Sequence, residues 1–120
     1  MVRVERDPKL GTSVVTPELV EYIVRKIVAQ VAPRTVIVFG SHASGQARPE
    51  SDLDLFVVQD NGGSNREVRR EIDLLLFGRR FGVDIIVRRP EEVEANLRDH
   101  NPFYVEHIFG QGRVMYERPK

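Results

Sequence analysis

The sequence predicts an α/β fold built from three or four short strands with helices between and beside them. Three runs rich in β-branched and other large apolar residues, at 35–39, 52–58 and 83–87, are separated by turn-forming glycine and proline, a pattern typical of buried strands. Apolar residues recur at helical spacing before and between these runs. With 41% hydrophobic and 30% charged residues among 120, the chain has enough apolar material for a compact core.

The N-terminal segment is predicted to divide into an arm, residues 1–15, and the start of a single domain that covers residues 16–120. The arm is rich in charged and turn-forming residues, which favours a loosely held segment or an extension that docks on a partner. Thr16 can then cap a helix in which Pro17 takes the first position, and apolar residues follow at every fourth position from Leu19 to Val31. We therefore expect an amphipathic helix that ends before residue 33.

The remaining elements are assigned from the same signals of periodicity, capping and turn chemistry. In chain order they are the strand 35–39, a loop or at most one helical turn over 41–51, the strand 52–58, a helix starting at Ser64 or Asn65, the strand 83–87, a short helix opened by Pro90, another over 103–109, and an edge strand over 113–116.

Two aspartates interrupt the second apolar run. Asp52 and Asp54 are two positions apart, so on a strand they point to one face while Leu53 and Leu55 point to the other. Aspartate is disfavoured in strands, and neighbouring carboxylates raise each other's proton affinity unless a cation neutralises them. The pair therefore predicts a site for a hard divalent ion such as Mg²⁺, with a solvated sheet face as the alternative.

Asp84 repeats this anomaly in the third apolar run. If the two strands are neighbours, its carboxylate can join the pair, and three acids can hold two metal ions roughly 3.5–4 Å apart for phosphoryl or nucleotidyl transfer. Alternatively, one acid takes the proton of the attacking group, and we assign that role to Asp84. Taken alone, an aspartate at a strand end is as often a turn cap or a solvated group.

Gly40-Ser41 follows the first strand. A glycine lets backbone N–H groups approach an anion, and the serine hydroxyl can donate to a phosphate oxygen. A Gly-Ser pair after a strand is more often a plain turn, so its interest lies in its fixed distance of ten residues from Asp52.

Gly40-Ser41, ten residues, then Asp52-Leu53-Asp54 resembles the signature of the DNA polymerase β-like nucleotidyltransferase superfamily. The surrounding VFGSHASGQARPESDLDLFVV is similar to its minimal nucleotidyltransferase (MNT) branch, and the segment 83–87 fits the strand that carries the third acid of that family. The resemblance extends over roughly residues 16–118.

The resemblance implies the nucleotidyltransferase fold, with a small mixed sheet of three to four strands. It implies two Mg²⁺ ions held by Asp52 and Asp54, with Asp84 completing the triad, and Gly40 and Ser41 in contact with the triphosphate of ATP. A hydroxyl group would attack the α-phosphate and release pyrophosphate, so catalysis would consist mostly of positioning and charge neutralisation.

The sequence departs from the family just after the Gly-Ser pair, where members often have arginines and this chain has His42 and Ser44. The departure predicts either weaker triphosphate binding or compensation by Arg48. Four arginines that flank the third strand could also hold phosphates, although solvated charges are the commoner explanation. They are Arg79, Arg80, Arg88 and Arg89.

Minimal members of this family are commonly encoded beside a HEPN-domain protein, in pairs that resemble toxin–antitoxin systems. The resemblance therefore implies an antitoxin that adds AMP to a tyrosine of a HEPN-domain toxin, with the acceptor supplied by that partner. Two alternatives stay open at this point. The chain could neutralise a toxin by contact alone, or it could modify a small molecule such as an aminoglycoside.

Charge balance and composition argue against several other classes of function. Eighteen basic and eighteen acidic residues leave no overall attraction for nucleic acid or for an anionic membrane. The chain has no cysteine, which excludes thiolate metal sites and suits a reducing interior. No apolar run approaches the roughly 20 residues of a membrane span, so we expect a cytoplasmic protein, with a homo-oligomer possible through leftover apolar helix faces.

Overall fold

A computed structural model of the chain describes residues 6–48 and 50–120. Its strands form one mixed sheet and are β1 (Thr35–Phe39), β2 (Leu53–Val58), β3 (Val83–Arg88) and β4 (Arg113–Glu117). The spatial order is β3-β2-β1-β4, with β1 antiparallel to β2 and to β4, and β2 parallel to β3. This mixed sheet with its helices confirms the predicted fold class.

The helices begin where the capping residues predict. The helical segments are a 3₁₀ turn (Pro8–Leu10), α1 (Pro17–Val31), the single-turn α2 (Ser41–Ser44), α3 (Asn65–Leu75), α4 (Pro90–Arg98) and a π-helix (Phe103–Ile108). The hydroxyl of Thr16 accepts a hydrogen bond of 3.1 Å from the N–H of Leu19, and Ser64 forms a capping box with Glu67 at the start of α3. The helix expected at 103–109 is π-helical, with the N–H of Phe109 donating to the carbonyl of Tyr104 at 2.9 Å.

The sheet is buried on both faces. Helices α1 and α3 cover one face, where Val36, Val38 and Leu55 lie in the larger hydrophobic cluster. The π-helix and α4 cover the other face, where Ile37 and Phe56 lie in the smaller cluster. Burial on both sides explains why the strands read as almost continuous apolar runs, and it makes the aspartates within them conspicuous.

The N-terminal segment packs on the domain from residue 6 onward. Leu10 is fully buried and Val15 nearly so, and both belong to the larger cluster. Two apolar side chains among the charges therefore anchor residues 6–15 to the domain. The division of the chain into an arm and a domain at residue 15 stays a prediction. Residues 1–5 of the predicted arm and Pro49 of the predicted loop lie outside the described residues.

Asp7 fastens this segment to α1. Its carboxylate accepts a hydrogen bond of 2.8 Å from Lys26 Nζ and another from the hydroxyl of Tyr22. Burial alone would raise the pKa of Asp7, but the hydrogen bonds from Lys26, Tyr22 and the N–H of Lys9 hold it below its ordinary value.

None of the helices in the described ranges has the length and apolar character required to cross a bilayer.

We predict that Asp7→Asn lowers the free energy of unfolding at pH 7 by about 1–2 kcal/mol, because an amide loses the charge-assisted hydrogen bonds. A lowered pKa means that this contribution is present at neutral pH and is lost as the pH falls through the lowered value. The unfolding free energies of the two proteins should therefore converge below the ordinary aspartate value of 3.8. Urea unfolding at several pH values measures this, with Glu94→Gln on the exposed side of α4 as the control. Equal stability of wild type and Asp7→Asn at pH 7 would contradict the anchoring role.

Candidate active site

The register of the sheet brings two of the predicted acids side by side. Asp54, the second residue of β2, is paired with Phe39 on β1 and with Asp84 on β3. Because directly paired residues of neighbouring strands point to the same face, both carboxylates lie on the face covered by α4 and the π-helix. Asp52 lies immediately before β2, two residues upstream on the same side. Strands β2 and β3 are therefore neighbours, which is the condition under which Asp84 can join the pair.

The three carboxylates interact electrostatically. Burial raises the pKa of Asp54 most, and repulsion from the carboxylates of Asp84 and Asp52 raises it further, whereas His42 opposes the shift. The Nε2 atom of His42 lies 2.9 Å from the carbonyl oxygen of Ser51, which holds the imidazole beside the acids. The ionised form of Asp54 is therefore less favourable than that of an ordinary aspartate, and a nearby cation would stabilise it.

Two glycines provide the space that the carboxylates occupy. A Cβ atom on Gly40 would lie 2.2 Å from Oδ2 of Asp54, and a Cβ atom on Gly82 would lie 2.1 Å from Oδ1 of Asp52. Gly40 also has a φ of +73°, a region that side chains disfavour. Gly40 was predicted as a phosphate contact, whereas Gly82 was not singled out from the sequence. Its position directly before the strand of Asp84 was the available signal.

The turn after β1 leaves polar groups beside Asp54. Gly40 precedes α2, and its carbonyl accepts from the N–H groups of Ala43 and Ser44 at 3.1 Å each. In the part of the chain that the structure describes, no hydrogen bond uses the N–H groups of Ser41 and His42. Two free donors at this turn suit a phosphate oxygen, so the predicted triphosphate contacts Gly40 and Ser41 lie next to the acids.

The cleft beside the acids has a volume of about 560 Å³. It runs along the outer side of β3 and contains Asp54 and Asp84. Its lining residues are Phe39, Asp54, Asn65, Arg66, Arg69, Asp84–Arg88 and Phe103.

The arginines divide between this cleft and other places. Of those suggested by the sequence, Arg88 lines the cleft, whereas Arg79 and Arg80 line a different one. Arg48 is exposed in the loop before β2. Arg66 and Arg69 line the same cleft as Asp54 and Asp84. They were not singled out from the sequence, because their place in the cleft depends on how α3 crosses the sheet.

The donor chemistry of the acids fits Mg²⁺, which prefers one or two carboxylates together with phosphate oxygens and water. Asp54 has the destabilised negative charge that such an ion would neutralise. Within the two described ranges, no group of three acidic, histidine or cysteine side chains is arranged as a ready metal site. The ligand set of Asp52, Asp54 and Asp84 therefore stays a prediction.

Comparison with known proteins identifies related sequences. Residues 21–120 match the family described as Polymerase beta, Nucleotidyltransferase. A candidate protein adenylyltransferase from Methanocaldococcus jannaschii is 32% identical over 87 residues, which cover 70% of this chain. The chain spans 58% of the length of that relative.

Two solved structures resemble the chain in fold. A candidate nucleotidyltransferase from Sulfolobus solfataricus has a TM-score of 0.57 and 20% identity, covering 84% of this chain and 79% of its own. A toxin–antitoxin crystal structure with AMP-PNP has a TM-score of 0.52 and 18% identity, covering 82% of this chain and 73% of its own. These likenesses confirm the predicted nucleotidyltransferase fold.

We predict that Asp54→Asn raises the Tm of the metal-free protein at pH 7 by a few degrees, because it removes a partly buried, repelled charge. A raised pKa means that the ionised form opposes folding, so the gain should disappear as the pH falls below the ordinary aspartate range. Adding Mg²⁺ should stabilise the wild type and leave the variant unchanged. Thermal unfolding, first without Mg²⁺ and then at Mg²⁺ concentrations raised in 10-fold steps, measures both effects. Glu94→Gln serves as a charge control, and a lower Tm for Asp54→Asn would refute the repulsion.

Proposed function

This chain belongs to the Polymerase beta, Nucleotidyltransferase family, and from that premise we propose that it transfers AMP from ATP to a hydroxyl group with the help of Mg²⁺. The observation that carries the proposal is the pairing of Asp54 with Asp84 on one face of the sheet, with Asp52 close enough to affect the pKa of Asp54. A cluster of repelling carboxylates beside free backbone donors suits a metal–triphosphate complex.

In the proposed reaction, the acids have different roles that follow from their positions. Asp52 and Asp54 would hold Mg²⁺, two ions when ATP is bound, with Asp84 completing the ligand set. When bound, the ions would neutralise charge on the phosphates and on the attacking oxygen. Asp84 is exposed and lies on the open side of Asp54, so it is the carboxylate best placed to take the proton of an entering hydroxyl.

The triphosphate would lie on the opposite side of Asp54. Gly40 and Ser41 follow β1, which borders β2 on the side away from β3. The N–H groups of Ser41 and His42 and the hydroxyl of Ser41 would donate to phosphate oxygens, which fixes the α-phosphorus between the nucleotide side and the acceptor side. Arg48, exposed in the adjoining loop, is the candidate replacement for the arginines that are absent after Ser41.

The acceptor that we propose is a tyrosine of a HEPN-domain toxin, which makes this chain an antitoxin of the MNT branch. Two findings support the proposal without naming the partner. The Methanocaldococcus jannaschii relative is named as a candidate protein adenylyltransferase, and one fold neighbour is a toxin–antitoxin with AMP-PNP. The open cleft beside Asp84 leaves room for an acceptor from another molecule.

The central test is to incubate the chain with labelled ATP, Mg²⁺ and the product of the neighbouring gene. We expect the partner to gain mass in steps of one AMP, and Asp52→Asn and Asp54→Asn should reduce the transfer by at least about 10³-fold. Intact mass spectrometry of the partner is the readout. If the Asp→Asn variants still neutralise the toxin without transferring AMP to it, the result would favour neutralisation by contact alone. Label found on an aminoglycoside would favour a small-molecule transferase.

A second prediction isolates the nucleotide contacts. Ser41→Ala should reduce kcat/KM for ATP by about 10-fold to 100-fold, because it removes one charge-assisted donor to the triphosphate. Ser44→Ala is the matched control, because Ser44 lies in the same helical turn and its hydroxyl donates to the carbonyl of Ser41, at 3.3 Å. Initial rates over a range of ATP concentrations distinguish the two. Equal effects of the two substitutions would argue against triphosphate binding at Ser41.

A further inference from the structure

The cleft beside the acids follows the free edge of the sheet. Strand β3 is an outer strand, and five consecutive residues of it, Asp84–Arg88, line the cleft. Successive residues of a strand point to opposite faces. A cleft that touches all five therefore runs along the edge of β3, rather than over one face of the sheet.

The backbone of this edge has one row of groups that no strand of the sheet pairs. The N–H of Leu53 donates to the carbonyl of Gly82 at 2.9 Å, and the N–H of Gln59 donates to the carbonyl of Arg88 at 3.0 Å. The alternation of a parallel ladder then turns the backbone groups of Val83, Ile85 and Val87 away from β2. Among the described residues, the hydrogen bond that reaches this outward row is from Arg88 Nη1 to the carbonyl of Val87, at 2.7 Å. Ile85 and Val87 are 6% and 2% exposed, so the side chain of Arg88 must move aside before a segment can pair along this part of the edge.

The two sides of the edge differ in charge. On the α3 side lie Arg66 and Arg69, which are exposed, three residues apart, and so on one side of the helix. No ion pair within residues 6–48 and 50–120 involves either of them. On the other side lie the carboxylates of Asp54 and Asp84 together with the ring of Phe103, which is 38% exposed.

We propose that β3 binds an extended segment of the acceptor protein as a fifth strand of the sheet. Side chains of such a segment alternate between the two sides of the edge. A hydroxyl side chain would point to Asp84 and Phe103, and acidic side chains at the two flanking positions would point to Arg66 and Arg69. The proposal rests on the proposed function and adds the mode by which the acceptor is recognised.

Strand addition places the acceptor correctly for the transfer. The hydroxyl oxygen forms a bond to the α-phosphorus of ATP, the bond from that phosphorus to the pyrophosphate oxygen breaks, and the hydroxyl proton passes to Asp84. The products are the AMP ester of the segment and pyrophosphate. A polypeptide fits this edge better than a nucleic acid, because only a polypeptide can pair with the row of backbone groups at Val83, Ile85 and Val87.

The test uses the full chain with two nine-residue acetylated peptides, TVTEYETVT and TVTKYKTVT, which differ only in the residues beside the tyrosine. Binding is measured by fluorescence anisotropy and by ¹⁵N chemical shifts, and AMP transfer is measured separately by mass in the same buffer. We expect the glutamate peptide to bind at least 10-fold more tightly than the lysine peptide, with shift changes concentrated in β3 and α3.

Substitutions on α3 test the charge preference. Arg69→Glu should remove most of the 10-fold difference in affinity between the glutamate and lysine peptides. The double variant Arg66→Glu/Arg69→Glu should reverse the preference. Arg70→Glu is the matched control, because Arg70 is the next residue of the same helix, is also exposed and lies outside this cleft. An equal effect of Arg69→Glu and Arg70→Glu would overturn the proposal.

Backbone methylation tests the strand addition. Only alternate N–H groups of an added strand face β3, so N-methylation of the tyrosine and N-methylation of the two glutamates should differ in effect by at least 10-fold. Equal loss of binding for both peptides would refute pairing along the edge.

The binding and transfer readouts distinguish the two proposals. Glutamate-selective binding that depends on Arg69, without transfer to any acceptor, would support the docking and contradict the transferase. Transfer to the partner protein with equal binding of the two peptides would overturn the docking and leave the transferase intact. A raised KM for ATP in Arg69→Glu, with peptide binding unchanged, would also overturn the docking, because the arginine would then serve the nucleotide.

Discussion

The parallel pairing of β2 with β3 is the constraint on which the site depends, because it places Asp84 directly beside Asp54. Parallel neighbours need a long crossover connection, and α3 provides it by packing on the face that carries Ile85 and Val87. The crossover leaves the opposite face at the start of β2 and β3 to the carboxylates. A shift of one residue in this register would turn Asp84 to the α3 side, where it would be buried among apolar side chains.

The same arrangement explains where the fold tolerates repulsion. Leu53 and Leu55 alternate with the acids and are fully buried in the larger cluster, while Phe56 anchors the acid-bearing face through edge-on contact with Tyr104 at a centroid distance of 5.6 Å. Apolar burial of this extent stabilises by roughly 25 cal/mol per Å², so the strand can hold Asp54 at a position where its ionised form is unfavourable. Gly40 and Gly82 complete the arrangement by keeping side chains out of the space that the carboxylates need.

Local features of the fold could be predicted from the sequence, whereas features that depend on pairing could not. Thr16 and Ser64 cap their helices as predicted, since capping depends on three or four consecutive residues. Periodicity does not encode the order of the strands. The contact between Asp54 and Asp84 could therefore be predicted only on the condition that their strands are neighbours. Leu10 was missed because a single apolar residue among charges has no period.

The acids illustrate the same division at the level of the site. Asp52 and Asp54 stood out because carboxylates are rare in apolar strands, and their distance from Gly40-Ser41 added a resemblance to a family. Gly82 was missed because its role exists only when Asp52 folds against it. No feature of the sequence predicts a role for Arg66 and Arg69, because charged residues on the outside of a helix are ordinary. They line the cleft only because the crossover helix brings them to β3.

The position of Asp54 between two different neighbours gives the proposed reaction its direction. Gly40-Ser41 borders Asp54 through β1, and Asp84 borders it through β3. If the triphosphate occupies the β1 side, the leaving pyrophosphate departs on that side and the attacking oxygen must enter from the side of Asp84, since displacement at phosphorus proceeds in line. That entry coincides with the free edge of the sheet and the arginines of α3. In the proposed reaction, this chain would bind the nucleotide, and it would meet the acceptor through the edge of β3. The choice of acceptor would then depend largely on the complementary strand that a partner presents.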